Sequence, residues 1–121
     1  MLDTGALIAL ERGTQRIRKV HRLAVEHGYQ LVAITPVITE WWRRGKREKE
    51  RLQILRTLVL EPPDVHVARL GGEAIGVVQA TVVDALVMAA ASIRSDTVYT
   101  SDLGDLQRLL EVFPSVELEA V

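Results

Sequence analysis

Gln30-Leu31-Val32-Ala33-Ile34-Thr35-Pro36-Val37-Ile38-Thr39-Glu40 is the stretch that decides the fold class. Residues 30–34 form a short apolar run that suits a strand buried on both faces, as in a parallel sheet. Thr35 then offers a helix N-cap and Pro36 a first helical position, so strand passes into helix within one residue. The same change of period recurs along the chain. Met1-Leu2 reads as the stub of a strand before Asp3-Thr4 and the apolar run Ala6 to Leu10. Thr97 to Thr100 reads as a strand before a helix from Asp102 to Leu110, and Val116 to Leu118 as a last strand.

Between these units the spacing predicts helices. Ile17, Val20, Leu23 and Ala24 share one face of a helix over 14–27 that ends at Gly28. A further helix spans Arg47 to Leu58, with i to i+4 pairs Arg44–Glu48 and Lys46–Glu50 in support. Val59-Leu60 forms at most a short strand, and Pro62-Pro63 a turn. Asp64 caps a helix reaching about Gly76, and Thr81 with Asp84 caps an almost wholly apolar helix ending near Arg94. Strands alternating with helices call for an α/β fold, a mostly parallel sheet with helices on both faces. With no repeat, linker or low-complexity tract, residues 1–121 read as one domain.

The totals agree. A chain of 121 residues, 48% hydrophobic and 26% charged, suits one globular core. It contains no cysteine, which excludes a disulfide framework, a thiolate metal site and a cysteine nucleophile, and suits a cytoplasmic setting. The apolar stretch from Ala74 to Ile93 is interrupted by Gly76, Gln79, Thr81 and Asp84, so buried helices are expected and no membrane partner. The net charge of −1 conceals two unlike halves: residues 1–56 carry twelve Lys and Arg against six acids, or +6, and residues 57–121 carry three against ten, or −7. A basic half can hold phosphates, or can be a solvated helix face.

In open parallel sheets ligands sit outside the carboxyl ends of the strands, which directs attention to the residues just after each strand. There the sequence places acids. Asp3 follows the first strand, Glu40 lies on the helix after the second, Asp102 and Asp105 follow the Thr97 to Thr100 strand, and Asp84 opens the apolar helix. Singly, each has a structural reading: Asp3 and Asp102 as N-caps, Thr81 with Asp84 as a capping box, Glu40 as a solvated surface residue. Together they describe one pocket whose mutual repulsion an oxygen-seeking cation would relieve, and Mg²⁺ or Mn²⁺ is expected. The three scattered histidines, His21, His27 and His66, give no reason to expect a softer metal.

Four blocks resemble the PIN-domain ribonucleases, and within them the VapC-type toxins of prokaryotic toxin–antitoxin pairs. They are residues 2–8 (LDTGALI), 35–41 (TPVITEW), 83–90 (VDALVMAA) and 99–106 (YTSDLGDL), in an order and spacing that span nearly the whole chain. The resemblance implies a PIN-like three-layer α/β/α fold and a divalent-metal-dependent endoribonuclease. It implies Asp3, Glu40 and Asp84 as site acids, with Asp102 or Asp105 as the fourth, and Asp3, Asp84 and Asp102 as metal ligands. It further implies a cognate antitoxin, whose tail would lie across the acidic pocket, and a homodimer. The alternative of a PIN-like module that binds RNA or protein without cutting stays open.

Two departures from the pattern stand out. Gly5 occupies a place usually held by serine or asparagine, so a hydrogen bond expected there must come from backbone, Thr4 or water. Only two residues precede Asp3, a short first strand that suggests a start upstream of Met1.

Around the acids, Arg43, Arg44 and Arg47, with Lys46, Lys49 and Arg51 near them, form the densest basic segment and the candidate RNA contact; Arg12, Arg16, Arg18 and Lys19 form a looser one. Trp41 or Trp42 can stack on an unpaired base, pack in the core, or join Ile8, Leu10 and Val37 in a subunit contact. A phospho-receiver domain also gathers acids at strand ends, but it needs adjacent acids after its first strand and a late lysine. Here Leu2 and Thr4 flank Asp3, and no lysine follows Lys49.

Overall fold

In the computed structural model, residues 1–43 and 47–121 are described, and the helices alternate with short strands in the expected order. Helix α1 (Thr4–Arg12) begins where the Asp3 carboxylate accepts the Ala6 amide and ends at Gly13, whose φ of 74° is left-handed backbone that glycine adopts without strain. Helix α2 (Gln15–His27) buries Ile17 and Ala24 and stops at Gly28. Strand β1 (Val32–Ile34) is buried throughout, as expected of an interior parallel strand. Helix α3 (Thr35–Trp41) follows without a break. Its N-cap position falls on Ile34 and not on Thr35, and no side chain caps it. Pro36 in the first turn stands in for the cap, because it has no amide to leave unpaired.

Helix α4 (Glu48–Leu55) is shorter at both ends than the expected 47–58 and is followed by strand β2 (Val59–Glu61). The pairs Arg44–Glu48 and Lys46–Glu50 lie outside the described residues. Helices α5 (Val65–Val77) and α6 (Val82–Arg94) form the most extensive helix pair, capped by Asp64 and Thr81 respectively. Gly71 permits their close approach: a Cβ there would stand 3.2 Å from Leu86 Cδ2. Strand β3 (Thr97–Thr100) leads into helix α7 (Leu103–Gln107) and a 3-10 turn (Arg108–Glu111), where a single helix over 102–110 was expected. Strand β4 (Glu117–Ala120) ends the chain's regular structure.

The strand pairing is parallel throughout. β1 pairs with β2, β3 with β4, and the Met1-Leu2 segment joins the two pairs: Leu2 bridges Tyr99 in parallel, and its amide donates to the Val32 carbonyl at 2.8 Å. The order across the sheet is therefore β2, β1, Met1-Leu2, β3, β4. The chain winds outward to β2, then returns past its start to β3. With right-handed crossovers, that reversal puts the earlier helices on one face and the later ones on the other, a three-layer α/β/α arrangement. The core between the layers includes Leu2, Leu7, Ile17, Ile34, Val37, Val87, Met88, Val98, Leu106 and Leu109. Val37 and Trp41 belong to this core, so neither is available for a subunit surface or for base stacking. Among the described residues no helix is long and apolar enough to cross a membrane.

One polar cluster ties the first layer together. The Glu11 side chain, 8% exposed, accepts the Trp41 indole N–H at 3.0 Å and Arg51 Nε at 3.0 Å. Arg51, 12% exposed, also reaches the Arg43 carbonyl at 3.2 Å and stacks over the Trp41 ring at 5.6 Å. Arg51 therefore leaves the group of candidate RNA-binding cations, because its charge is spent inside the fold. Glu11→Ala is expected to strand that guanidinium and the indole and to cost about 2–3 kcal/mol, measured by urea unfolding. Glu11→Gln, which keeps an acceptor for Trp41, is expected to cost less.

Candidate active site

The reversal of the chain opens a crevice at the carboxyl edge between Met1-Leu2 and β3, the position at which open parallel sheets bind ligands. Asp3 leaves one strand and Ser101-Asp102 the other. α6 runs back against the sheet, which carries Asp84 in its first turn to the same edge. Glu40 arrives on the last turn of α3.

Each acid is fixed by local structure. Asp3 is 7% exposed, and its Oδ1 accepts the Ala6 amide at 2.8 Å. Asp84 sits in the first turn of α6, where its amide donates to the Thr81 hydroxyl at 3.2 Å. Asp102 caps α7 by accepting the Gly104 amide at 3.1 Å. Glu40 accepts a short hydrogen bond, 2.6 Å, from the Thr4 hydroxyl. The capping readings were correct for Asp3 and Asp102, and for Thr81 on the Asp84 amide, but capping does not exhaust these side chains. Glu40 is not a free surface acid, being half-buried and bonded to Thr4.

The electrostatics join them. Burial pushes the Asp3 carboxyl above its ordinary value; hydrogen bonds from Thr100 and Ala6 oppose the rise, and Asp84 and Glu40 add to it. Burial likewise raises Asp84 against a bond with Thr81, and Asp105, Glu40 and Asp102 raise it further. Asp84 is thus the member that feels Glu40, Asp102 and Asp105 together, while Asp3 feels Asp84 and Glu40. Asp105 shares a cleft of about 310 Å³ with Asp84, Thr81, Gln79, Ala80 and Arg108.

Among the described residues no three acidic or histidine side chains already converge as a cage for a metal ion. An all-oxygen set of this kind still fits Mg²⁺ or Mn²⁺, because Mg²⁺ keeps several of its waters and takes only one or two carboxylates directly. Two partly buried acids raised by their neighbours are the groups a cation would relieve.

Several participants were not read from the sequence. Thr4 holds Glu40, Thr100 is buried behind Asp3 and hydrogen-bonds Asp102, and Arg108 brings a cation to the cleft. Arg108 stands three residues after Asp105, a spacing that puts both on one side of a helical turn and was a usable signal. For Thr4 and Thr100 only the tertiary contacts carry the information. Of the candidate RNA contacts, Arg43 is exposed, Arg47 is exposed with its Nε 3.9 Å from Glu11, and Arg44 lies outside the described residues.

No family model and no curated protein sequence matches the chain. Solved structures do. One chain of the VapBC2 complex of Rickettsia felis, bound to a DNA fragment from their promoter, is similar with a TM-score of 0.77 at 18% identity, over 100% of this chain and 97% of that one. A chain of the DNA-bound VapBC of Salmonella typhimurium is similar with a TM-score of 0.73 at 18% identity, over 99% of this chain and 96% of that one. The shared feature at this identity is the fold, and it is the PIN-like three-layer α/β/α arrangement along the full length.

Raised carboxyls fix the sign of a pH effect. The folded state holds protons on Asp3 and Asp84 that the unfolded chain has already released, so these groups cost stability as pH rises from about the ordinary value of 3.8 through their folded values. In EDTA, Asp84→Asn is expected to melt higher than the parent by roughly 3–5 °C near neutral pH, the response to about 1 kcal/mol in a domain of this size. The gap should close toward about pH 4; a gap independent of pH would contradict the repulsion.

Proposed function

We propose that this chain is a divalent-metal-dependent endoribonuclease, the toxin of a pair controlled by a cognate antitoxin. The observation that carries the reading is the convergence of Asp3, Glu40, Asp84, Asp102 and Asp105 on one crevice, with Asp3 and Asp84 raised by burial and by the other acids. The motif resemblance and the similarity in fold to chains of VapBC complexes support it.

Asp3, Asp84 and Asp102 would hold Mg²⁺ or Mn²⁺, and such an ion supplies Lewis acidity for phosphodiester hydrolysis by water. Glu40, pinned by Thr4, stands ready to orient or deprotonate a water. Asp105 contributes negative potential beside Asp84, and Arg108 offers the cleft a cation for a phosphate oxygen. RNA would approach along Arg43, Arg44 and Arg47. The antitoxin and a second copy of the chain are the expected protein partners, and the cytoplasm the expected setting. A module that binds RNA or protein without cutting is the second reading, favoured by the absence of a ready three-ligand cage among the described residues.

Total RNA incubated with the purified chain in Mg²⁺ or Mn²⁺ tests the two readings. Discrete fragments are expected, lost in EDTA and with Asp84→Asn. Intact RNA in the presence of demonstrable Mn²⁺ binding would favour the non-cleaving module. Replacing Arg43, Arg44 and Arg47 by Ala is expected to weaken RNA binding and to flatten its dependence on log salt by up to about one unit for each phosphate no longer neutralised. An unchanged slope would return that segment to a solvated role.

A further inference from the structure

Gly5 lies in the first turn of α1, between Thr4, which holds Glu40, and the Ala6 amide, which holds Asp3. The space above it is taken. A Cβ built on Gly5 would stand 2.1 Å from the Ser101 hydroxyl oxygen, 3.1 Å from Ser101 Cβ and 3.2 Å from its backbone nitrogen. A side chain at residue 5 and the present Ser101 side chain exclude each other. Because the backbone of residue 101 also crowds the position, rotating the hydroxyl aside does not remove the conflict.

Ser101 is the exposed residue between Thr100 and Asp102, both of which belong to the crevice. Its hydroxyl reaches from the β3 side across to the start of α1. None of the hydrogen bonds that fix the acids uses it: Glu40 is held by Thr4, Asp3 by Ala6, Asp84 by Thr81 and Asp102 by Thr100 and Gly104. It is a polar group placed among carboxylates with its own hydrogen-bonding capacity unspent.

We propose that Ser101 is a positioning residue of the acidic crevice, whose hydroxyl takes the seat that the missing side chain of Gly5 leaves open and donates to the water shell of the divalent cation held there. The inference rests on the metal-dependent reading above. Glycine at 5 is required because serine is at 101, and the pair exchanges as a unit.

The test uses the whole chain and Mn²⁺ alone, with the dissociation constant read by calorimetry and the melting temperature read in EDTA. Ser101→Ala should melt like the parent yet bind Mn²⁺ about tenfold more weakly, the size of effect expected when a group supporting a metal's ligands is removed. Gly5→Ala should melt lower than the parent although alanine is the better helix former. Adding Ser101→Gly should restore the melt but not the Mn²⁺ affinity. Gly5→Ser with Ser101→Gly, which moves the hydroxyl to the other side of the same seat, should restore both. Parent-like Mn²⁺ binding by Ser101→Ala would overturn the positioning role, and a Gly5→Ala protein as stable as the parent would overturn the exchange. A parent chain that binds no Mn²⁺ would instead remove the metal-dependent reading itself, and this role with it.

Discussion

Carboxylates packed closer than their charges allow are the constraint around which the rest of the molecule is arranged. Asp3 and Asp84 are held in place by the same features that start α1 and α6, so the repulsion cannot be relieved by moving a side chain without disturbing a helix. Both helices point their amino ends toward the acids, and each such end carries about half a positive charge. That contribution is favourable, yet both carboxyls remain above their ordinary values, so burial and mutual repulsion win over the helix ends and the hydrogen bonds combined. The imbalance left over is positive charge the fold does not supply.

α1 is the element that transmits this arrangement to the first layer. Its residue 4 bonds Glu40 and its residue 11 bonds Trp41, consecutive positions of α3 reaching points two turns apart on α1. Seven residues along a helix span roughly 10 Å, so the last turn of α3 is stapled to α1 in both directions along its axis. Glu40 has little freedom to withdraw from the crevice. The lower staple is completed by Arg51 from α4, which explains why a basic residue in the densest cationic segment serves packing and not a ligand.

The sequence was most legible where one residue type has one local consequence. Glycines 13 and 28 stop their helices, Asp64 and Thr81 start theirs, and the apolar run before Thr35-Pro36 is the buried strand it suggested. The acids could be placed at one edge because strand ends in a parallel sheet all face the same way. Illegible were properties that depend on two distant segments meeting. Val37 and Trp41 read as equally good surface or core residues until α1 and α4 closed over them, and the break of 102–110 into α7 and a 3-10 turn follows from packing that no propensity reports. The conflict between residues 5 and 101 is of the same kind: Gly5 looked like a missing side chain, and only the tertiary structure shows what stands in its place.

The unlike halves of the chain acquire a physical meaning at the crevice. Asp3 and Glu40 come from the half that carries +6, and Asp84, Asp102 and Asp105 from the half that carries −7. The acids therefore stand on the seam between a cationic and an anionic part. A polyanion drawn by Arg43 and Arg47 would be repelled on reaching those acids, since unit charges a few ångströms apart near a surface interact by several kcal/mol. A divalent cation reverses that sign locally, so on the proposed reading the metal contributes to admitting the phosphate as well as to hydrolysing it. Binding of nucleic acid and of metal would then be linked, each strengthening the other by the same factor.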